Sequence, residues 1–117
     1  MTITELSIKL GVPTSTLRYY EQIGLIFSGR QSNGNRTYDE QQFERARRIL
    51  LFRRAGVTIA ELKQLFSNNM DDTTALKMLA DAKRRISEQE KELAETMSFL
   101  EMKTNWHRNH KANYSEK

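Results

Sequence analysis

The chain has 117 residues, 38% of them hydrophobic and 29% charged, with one proline and no cysteine. That size permits one compact domain, or a small domain plus an extended element. The lack of cysteine excludes disulfides, thiolate zinc centres and cysteine redox chemistry. The net charge is +4, and residues 1–66 carry all of the excess, with ten basic residues against six acidic ones. Eight of those ten are arginine, the side chain whose planar fork suits phosphates and guanine edges, so an anionic polymer is the expected partner.

In chain order, Thr2 and Glu5 form a T-x-x-E capping box. It opens a short helix with Ile3, Leu6 and Leu10 on one face. Gly11-Val12-Pro13 breaks that helix, and a second runs through Leu17 and Tyr20 towards Gly24. Two short helices joined by a tight glycine turn fit a helix-turn-helix. If Leu17 and Tyr20 anchor the second helix, then Thr14, Thr16 and Arg18 face outward. Arg18 can fork onto guanine or clamp a phosphate. Tyr19 can reach a phosphate oxygen through its hydroxyl, or be a partly buried ring with a satisfied hydroxyl.

Asn33-Gly34 then signals a hairpin between the strand-like runs Leu25–Phe27 and Arg36–Tyr38. With Arg30 and Arg36 flanking its turn, the hairpin reads as a wing. Asp39 with Gln42 caps a third helix bearing Phe43, Ala46, Ile49 and Leu50. Arg53 and Arg54 lie in the sequence RRAG, a second candidate protrusion. Thr58 and Glu61 form another capping box and open a fourth helix with Ile59, Leu62, Leu65 and Phe66.

From Asp72 to about His110 there is neither proline nor glycine. Leu79, Ile86, Leu93 and Leu100 recur every seven residues, with Leu76 and Met97 three residues before two of them. A helix of that length cannot bury such a stripe on so small a domain, so pairing with the same helix of a second chain is expected; the alternative is a hairpin folded back within one chain, for which no turn residue offers a place. The organisation expected is a DNA-binding domain over 1–70, a dimerisation helix over 71–110 and a polar tail over 111–117.

The stretches TLRYYEQIGLI, GR…NGNRTY and AGVTIAELKQLF, in that order, resemble the MerR family of transcriptional regulators. The resemblance covers about residues 2–66, and the long helix in outline. It implies a mainly α protein: a winged helix-turn-helix followed by a long dimerisation helix in an antiparallel coiled coil. It also implies a homodimer that binds double-stranded DNA at a palindromic promoter operator and distorts it so that RNA polymerase can use the promoter. On this likeness Thr16, Arg18 and Tyr19 match recognition-helix contacts and Tyr20 a packing position. Arg36 and Tyr38 match the first wing, and Arg53 with Arg54 falls near the second. Phe27-Ser28 stands where the family usually has proline, which leaves the wing's entry less rigid.

Family members that sense metals use cysteines near the end of the dimer helix. Their absence argues against soft-metal and thiol-based aldehyde sensing. His107 and His110 share one side of the helix end, but no carboxylate cluster accompanies them, so no metal or other cofactor is assigned. Trp106 and Tyr114 can stack on a drug-like cation or pack against the partner's DNA-binding half. A small-molecule effector, a protein effector and no effector at all stay open. The alternatives to a promoter regulator are an architectural or excisionase-like DNA bender, which would lack the leucine-bearing helix, and an enzyme. No paired carboxylates at defined spacing, nucleophile elbow, phosphate-cradling glycine loop or metal triad is present, so no enzymatic activity is expected. No apolar run approaches the roughly 20 residues that span a bilayer. The opening MTITELSIKLG has no signal-peptide character, so no membrane partner and a cytoplasmic location are expected.

Overall fold

A computed structural model describes residues 1–115, with side chains to Lys111. The side chain of Tyr114, and the last two residues of the expected 111–117 tail, lie outside the described residues. The order of elements is α1 (Ile3–Leu10), α2 (Thr14–Gln22), β1 (Gly29–Arg30), β2 (Arg36–Thr37), α3 (Glu40–Arg54), α4 (Ile59–Phe66) and α5 (Asp72–Ser115). Two compact units divide the chain, residues 1–82 and residue 83 onward. No helix among the described residues is long and apolar enough to cross a membrane.

Each helix of the first unit starts where a side chain can satisfy an orphan N–H, with one exception. Thr2 accepts from the Glu5 N–H at the start of α1, although the reciprocal half of the expected capping box is not formed there. Asp39 accepts from the Gln42 N–H at 2.9 Å to start α3. At α4 the box is complete: the Glu61 N–H donates to Thr58 Oγ1 at 3.1 Å and the Thr58 N–H donates to Glu61 Oε1 at 3.0 Å. The exception is α2, whose N-cap Pro13 offers no side-chain acceptor and whose first turn holds no acidic residue.

The core of this unit gathers Leu6 from α1, Leu17 and Tyr20 from α2, Ala46 and Ile49 from α3, Val57 before α4, and Leu62 on it. Gly24, at a φ of 81°, lets the chain reverse after α2, so the Leu25 N–H returns to the Tyr20 carbonyl at 2.8 Å. This turn drives Leu25 and Ile26 into the core. The first strand is therefore not Leu25–Phe27, as the apolar run suggests, but Gly29–Arg30. It pairs antiparallel with β2 in the register Gly29 to Thr37 and Arg30 to Arg36. The five-residue tip is closed by the Gln31 N–H donating to Asn35 O at 2.8 Å and the Gly34 N–H donating to Gln31 O at 2.9 Å. A strand of two residues cannot stand alone in water. Side chains and Met1 tether this one: the Tyr38 N–H donates to the Met1 carbonyl at 2.7 Å, and the Met1 ammonium donates to the Tyr38 carbonyl at 2.8 Å.

The compact unit reaches past residue 70 because the start of α5 supplies part of its core. Met78 and Ala82, one helical turn apart, are both buried. The seven-residue leucine pattern does not include either residue. In the second unit α5 continues to Ser115, beyond His110. Leu93, Met97, Leu100 and also Phe99, Met102 and Trp106 are exposed along it, a broader apolar surface than the heptad row alone. The ring of Trp106 stacks on His110, with centroids 4.9 Å apart and planes 7° from parallel. Among the described residues no group of three potential metal ligands is assembled, and the two histidines are engaged by a tryptophan.

Candidate nucleic-acid interface

The face of α2 divides as its periodicity requires. Leu17 and Tyr20 are buried, which fixes the helix to the core, and the intervening Arg18 and Tyr19 are exposed. Tyr19 is 46% exposed, and its hydroxyl makes no hydrogen bond among the described residues. Its ring leans on Tyr20 with centroids 6.1 Å apart. Of the two sequence readings of Tyr19, the partly buried ring with a satisfied hydroxyl does not hold. Thr14 and Thr16 are half-buried at the start of the helix. Because Pro13 has no side-chain acceptor, the first-turn N–H groups of α2 receive no side-chain cap, which suits this end to an external anion.

A cleft of about 420 Å³ joins this helix to the α3–α4 turn and is lined by Ser15, Thr16, Tyr19, Tyr20, Arg53 and Ile59. Arg53 is held there by donating from Nη1 to the Val57 carbonyl at 2.8 Å, so the turn and the guanidinium orient together. Arg54, its neighbour, lines instead a smaller cleft shared with Lys9, Phe43 and Arg47. The structure thus brings Thr16, Tyr19 and Arg53 to one place and sends Arg54 to another.

The wing is joined to α2 by one carboxylate. Glu21, in the last turn of α2, accepts from Tyr38 Oη at 2.8 Å, from Arg36 Nη1 at 3.2 Å and from Ser28 Oγ. Burial acts to raise its pKa, but the hydrogen bonds from Ser28 and Tyr38 and the charge of Arg36 win, and the carboxyl sits below its ordinary value. The Tyr38 phenol moves the other way. Burial, the hydrogen bond to Glu21 and that carboxylate's charge push it up to about 12, while Arg36 and Arg18 pull weakly against them. Arg18 is therefore close enough to the wing for its charge to be felt there.

Of the three sequence-predicted wing residues, one differs from expectation. Arg30 and Arg36 are exposed on the hairpin, as expected. Tyr38 is only 1% exposed, and its hydroxyl is occupied by Glu21. The structure makes it a buried strut beneath the wing, and its hydroxyl cannot reach a phosphate without breaking that bond. The sequence reading passed over Glu21 and Ser28. The one local hint was the pair Phe27-Ser28 where the family usually has proline, since Ser28 brings a hydroxyl to the wing's entry.

The arrangement is a basic face with an uncapped helix start, an exposed tyrosine and an exposed arginine on one helix, and a hairpin fixed to that helix by a half-buried carboxylate. The sequence profile of the MerR HTH family of regulatory proteins matches residues 1–69. The chain is 33% identical over 96 residues to the HTH-type transcriptional regulator HmrR of Rhizobium leguminosarum bv. viciae, covering 81% of this chain and 74% of that protein. It is 36% identical over 93 residues to the HTH-type transcriptional regulator AdhR of Bacillus subtilis (strain 168), covering 75% and 66%. The crystal structure of HiNmlR, a MerR family regulator lacking the sensor domain, bound to promoter DNA, superposes with a TM-score of 0.78 at 24% identity, over 96% of this chain and 89% of that one. At that identity the likeness establishes the fold. A MerR family transcriptional regulator from Bacillus thuringiensis superposes with a TM-score of 0.66 at 26% identity, over 86% of this chain and 96% of that one. A profile covering more than half of the chain, a relative matched over most of its length and a shared winged helix-turn-helix fold converge: this chain belongs to the MerR HTH family of regulatory proteins.

Proposed function

We propose that the protein is a homodimeric, sequence-specific transcriptional regulator that binds a palindromic promoter operator and distorts it, in the cytoplasm and together with RNA polymerase. The observation that carries the DNA-binding part is the exposed Arg18–Tyr19 pair on a helix pinned by Leu17 and Tyr20. A helix-turn-helix enters the major groove with the start of its second helix. There Arg18 reads a guanine or clamps a phosphate, and Tyr19 donates its unpartnered hydroxyl to a phosphate oxygen. Thr16 and Arg53 flank the same cleft, while Arg30 and Arg36 take phosphates at the wing. Thr14 sits at the uncapped helix start, where N–H groups favour an anion.

Dimerisation through α5 is supported by the exposure of Leu76, Leu79, Leu93, Met97 and Leu100. Leu93 is 68% exposed, on the part of α5 that forms the second unit. Ile86, half-buried, continues the row. Two reading heads at a spacing set by a paired helix require an inverted repeat at that spacing or a deformed duplex. A bend of 40–90° costs on the order of 1–6 kcal/mol, which the wing contacts must offset. An architectural bender without this apolar helix is the less favoured reading.

The test is selection of duplexes from a random pool by the full chain, followed by gel shift with wild type and Arg18→Ala. An enriched inverted repeat, lost or relaxed at one position in the variant, is the expected result. Equal loss on selected and random DNA would make Arg18 a phosphate clamp, and no enrichment at all would end the proposal.

A further inference from the structure

A second cleft, of about 540 Å³, lies in the first unit between the segment leaving α2 and helices α3 and α4. Its volume falls within the range of small-molecule sites, roughly 300–1,000 Å³. Ile23, Leu25, Phe27, Arg45, Lys63 and Phe66 are among the residues that line it. Arg45 rises half-buried from α3. Its Nε donates to the Leu25 carbonyl, and its guanidinium carbon lies 4.6 Å from the Phe66 ring centre and 5.7 Å from that of Phe27.

Among the described residues Arg45 makes no ion pair, and no carboxylate lines this cleft. A guanidinium carries five N–H donors; this one, in the lining of the cleft, donates from Nε to a carbonyl and makes no other hydrogen bond among the described residues. A partly desolvated cation without a counter-ion is held at a cost that two aromatic faces offset only in part. Burial, with the charge of Arg48, accordingly lowers its pKa. Lys63, exposed on α4, places a second positive charge on the same rim. Phe27 is 56% exposed, an apolar ring left open beside two cations.

Two cations beside two aromatic rings suit a planar molecule with a negative end and an apolar body. We propose that it binds a small aromatic carboxylate, with Arg45 and Lys63 holding the carboxylate and Phe27 and Phe66 covering the ring. The Leu25 carbonyl that Arg45 holds belongs to the segment running from α2 to the wing. An anion that competes for Arg45 therefore acts where the recognition helix meets the hairpin. The site itself does not rest on DNA binding, and its test needs no operator.

Benzoate titrated into the isotopically labelled full chain should shift the amides of Gly24, Leu25 and Lys63 saturably. Inorganic phosphate serves as the charge-only probe and benzyl alcohol as the ring-only probe; each should bind more weakly. Lys63→Gln, at an exposed position, should weaken benzoate about two- to fivefold. Arg45→Gln should weaken it tenfold or more, roughly the loss of a charge-assisted fork. The lysine variant and Phe27→Ala keep the test decisive should the arginine variant not fold. Shifts that never saturate, or that persist unchanged in the Lys63 and Phe27 variants, overturn the site. Phosphate binding as tightly as benzoate overturns the aromatic class. Shifts of the same amides by duplex DNA in place of benzoate would make the cleft a backbone contact and overturn the proposal.

Discussion

Removing the Glu21 carboxylate should loosen the wing and destabilise the unit that carries it. The side chain is 16% exposed and accepts three hydrogen bonds, from Ser28, Arg36 and Tyr38. Those bonds are not equivalent. Arg36 is 57% exposed, so its ion pair contributes little. The Tyr38 hydroxyl belongs to a residue only 1% exposed, and in Glu21→Ala it is left buried without a partner. That desolvation penalty is about 1–3 kcal/mol. Adding the lost bond from Ser28 brings the expected cost to about 2–3 kcal/mol. For a domain of this size such a loss lowers Tm by roughly 10–20 °C. Circular dichroism melts of wild type, Glu21→Ala, Tyr38→Phe and the double variant measure it. Tyr38→Phe removes donor and penalty together, so the double variant should be less destabilised than the sum of the singles, by about 1 kcal/mol. A Glu21→Ala protein that melts within about 2 °C of wild type, or strict additivity in the cycle, would refute the claim that this carboxylate ties the wing to the recognition helix.

The same pair sets a pH signature. Glu21 is depressed in the folded protein, so its contribution is present above the unfolded carboxylate value and is lost as pH falls through the lower folded one; acid melts of Glu21→Gln should lack this limb. Tyr38 is raised from 10.0 to about 12, so its contribution is complete below pH 10 and disappears as pH rises towards 12, a loss Tyr38→Phe should not show. Thr58→Ala removes the complete capping box of α4 and should cost about 1 kcal/mol, read as a lower denaturant midpoint with an unchanged slope. Leu93→Lys should yield monomers by sedimentation and abolish tight binding to an inverted repeat, while leaving the melt of the first unit in place.

The local part of the fold was legible in the residues. Capping pairs three apart announced the starts of α1, α3 and α4, and the i, i+3 pair Leu17 and Tyr20 separated the anchored face of α2 from Arg18 and Tyr19. Those signals act within one helical turn, where the sequence is the environment. What was misread depends on distant partners. Leu25–Phe27 looks like a strand, but the Gly24 turn commits Leu25 and Ile26 to the core and moves the strand to Gly29. Tyr38 looks like a wing contact, but its hydroxyl meets a carboxylate seventeen residues earlier. The leucine repeat of α5 is conspicuous, yet it hides Met78 and Ala82, which do the packing at its start. Arg45 gave no signal, because its partners come from the α2 turn and from α4.

In the proposed complex two copies present Arg18 and Tyr19 to two related half-sites. Hydroxyl-radical footprinting of the full chain on its selected duplex tests this most directly. Two protected patches related by a dyad, both weakened on the same sites by Arg18→Ala, are the predicted result. A single unsymmetrical patch, or a footprint unchanged by the substitution, would contradict it.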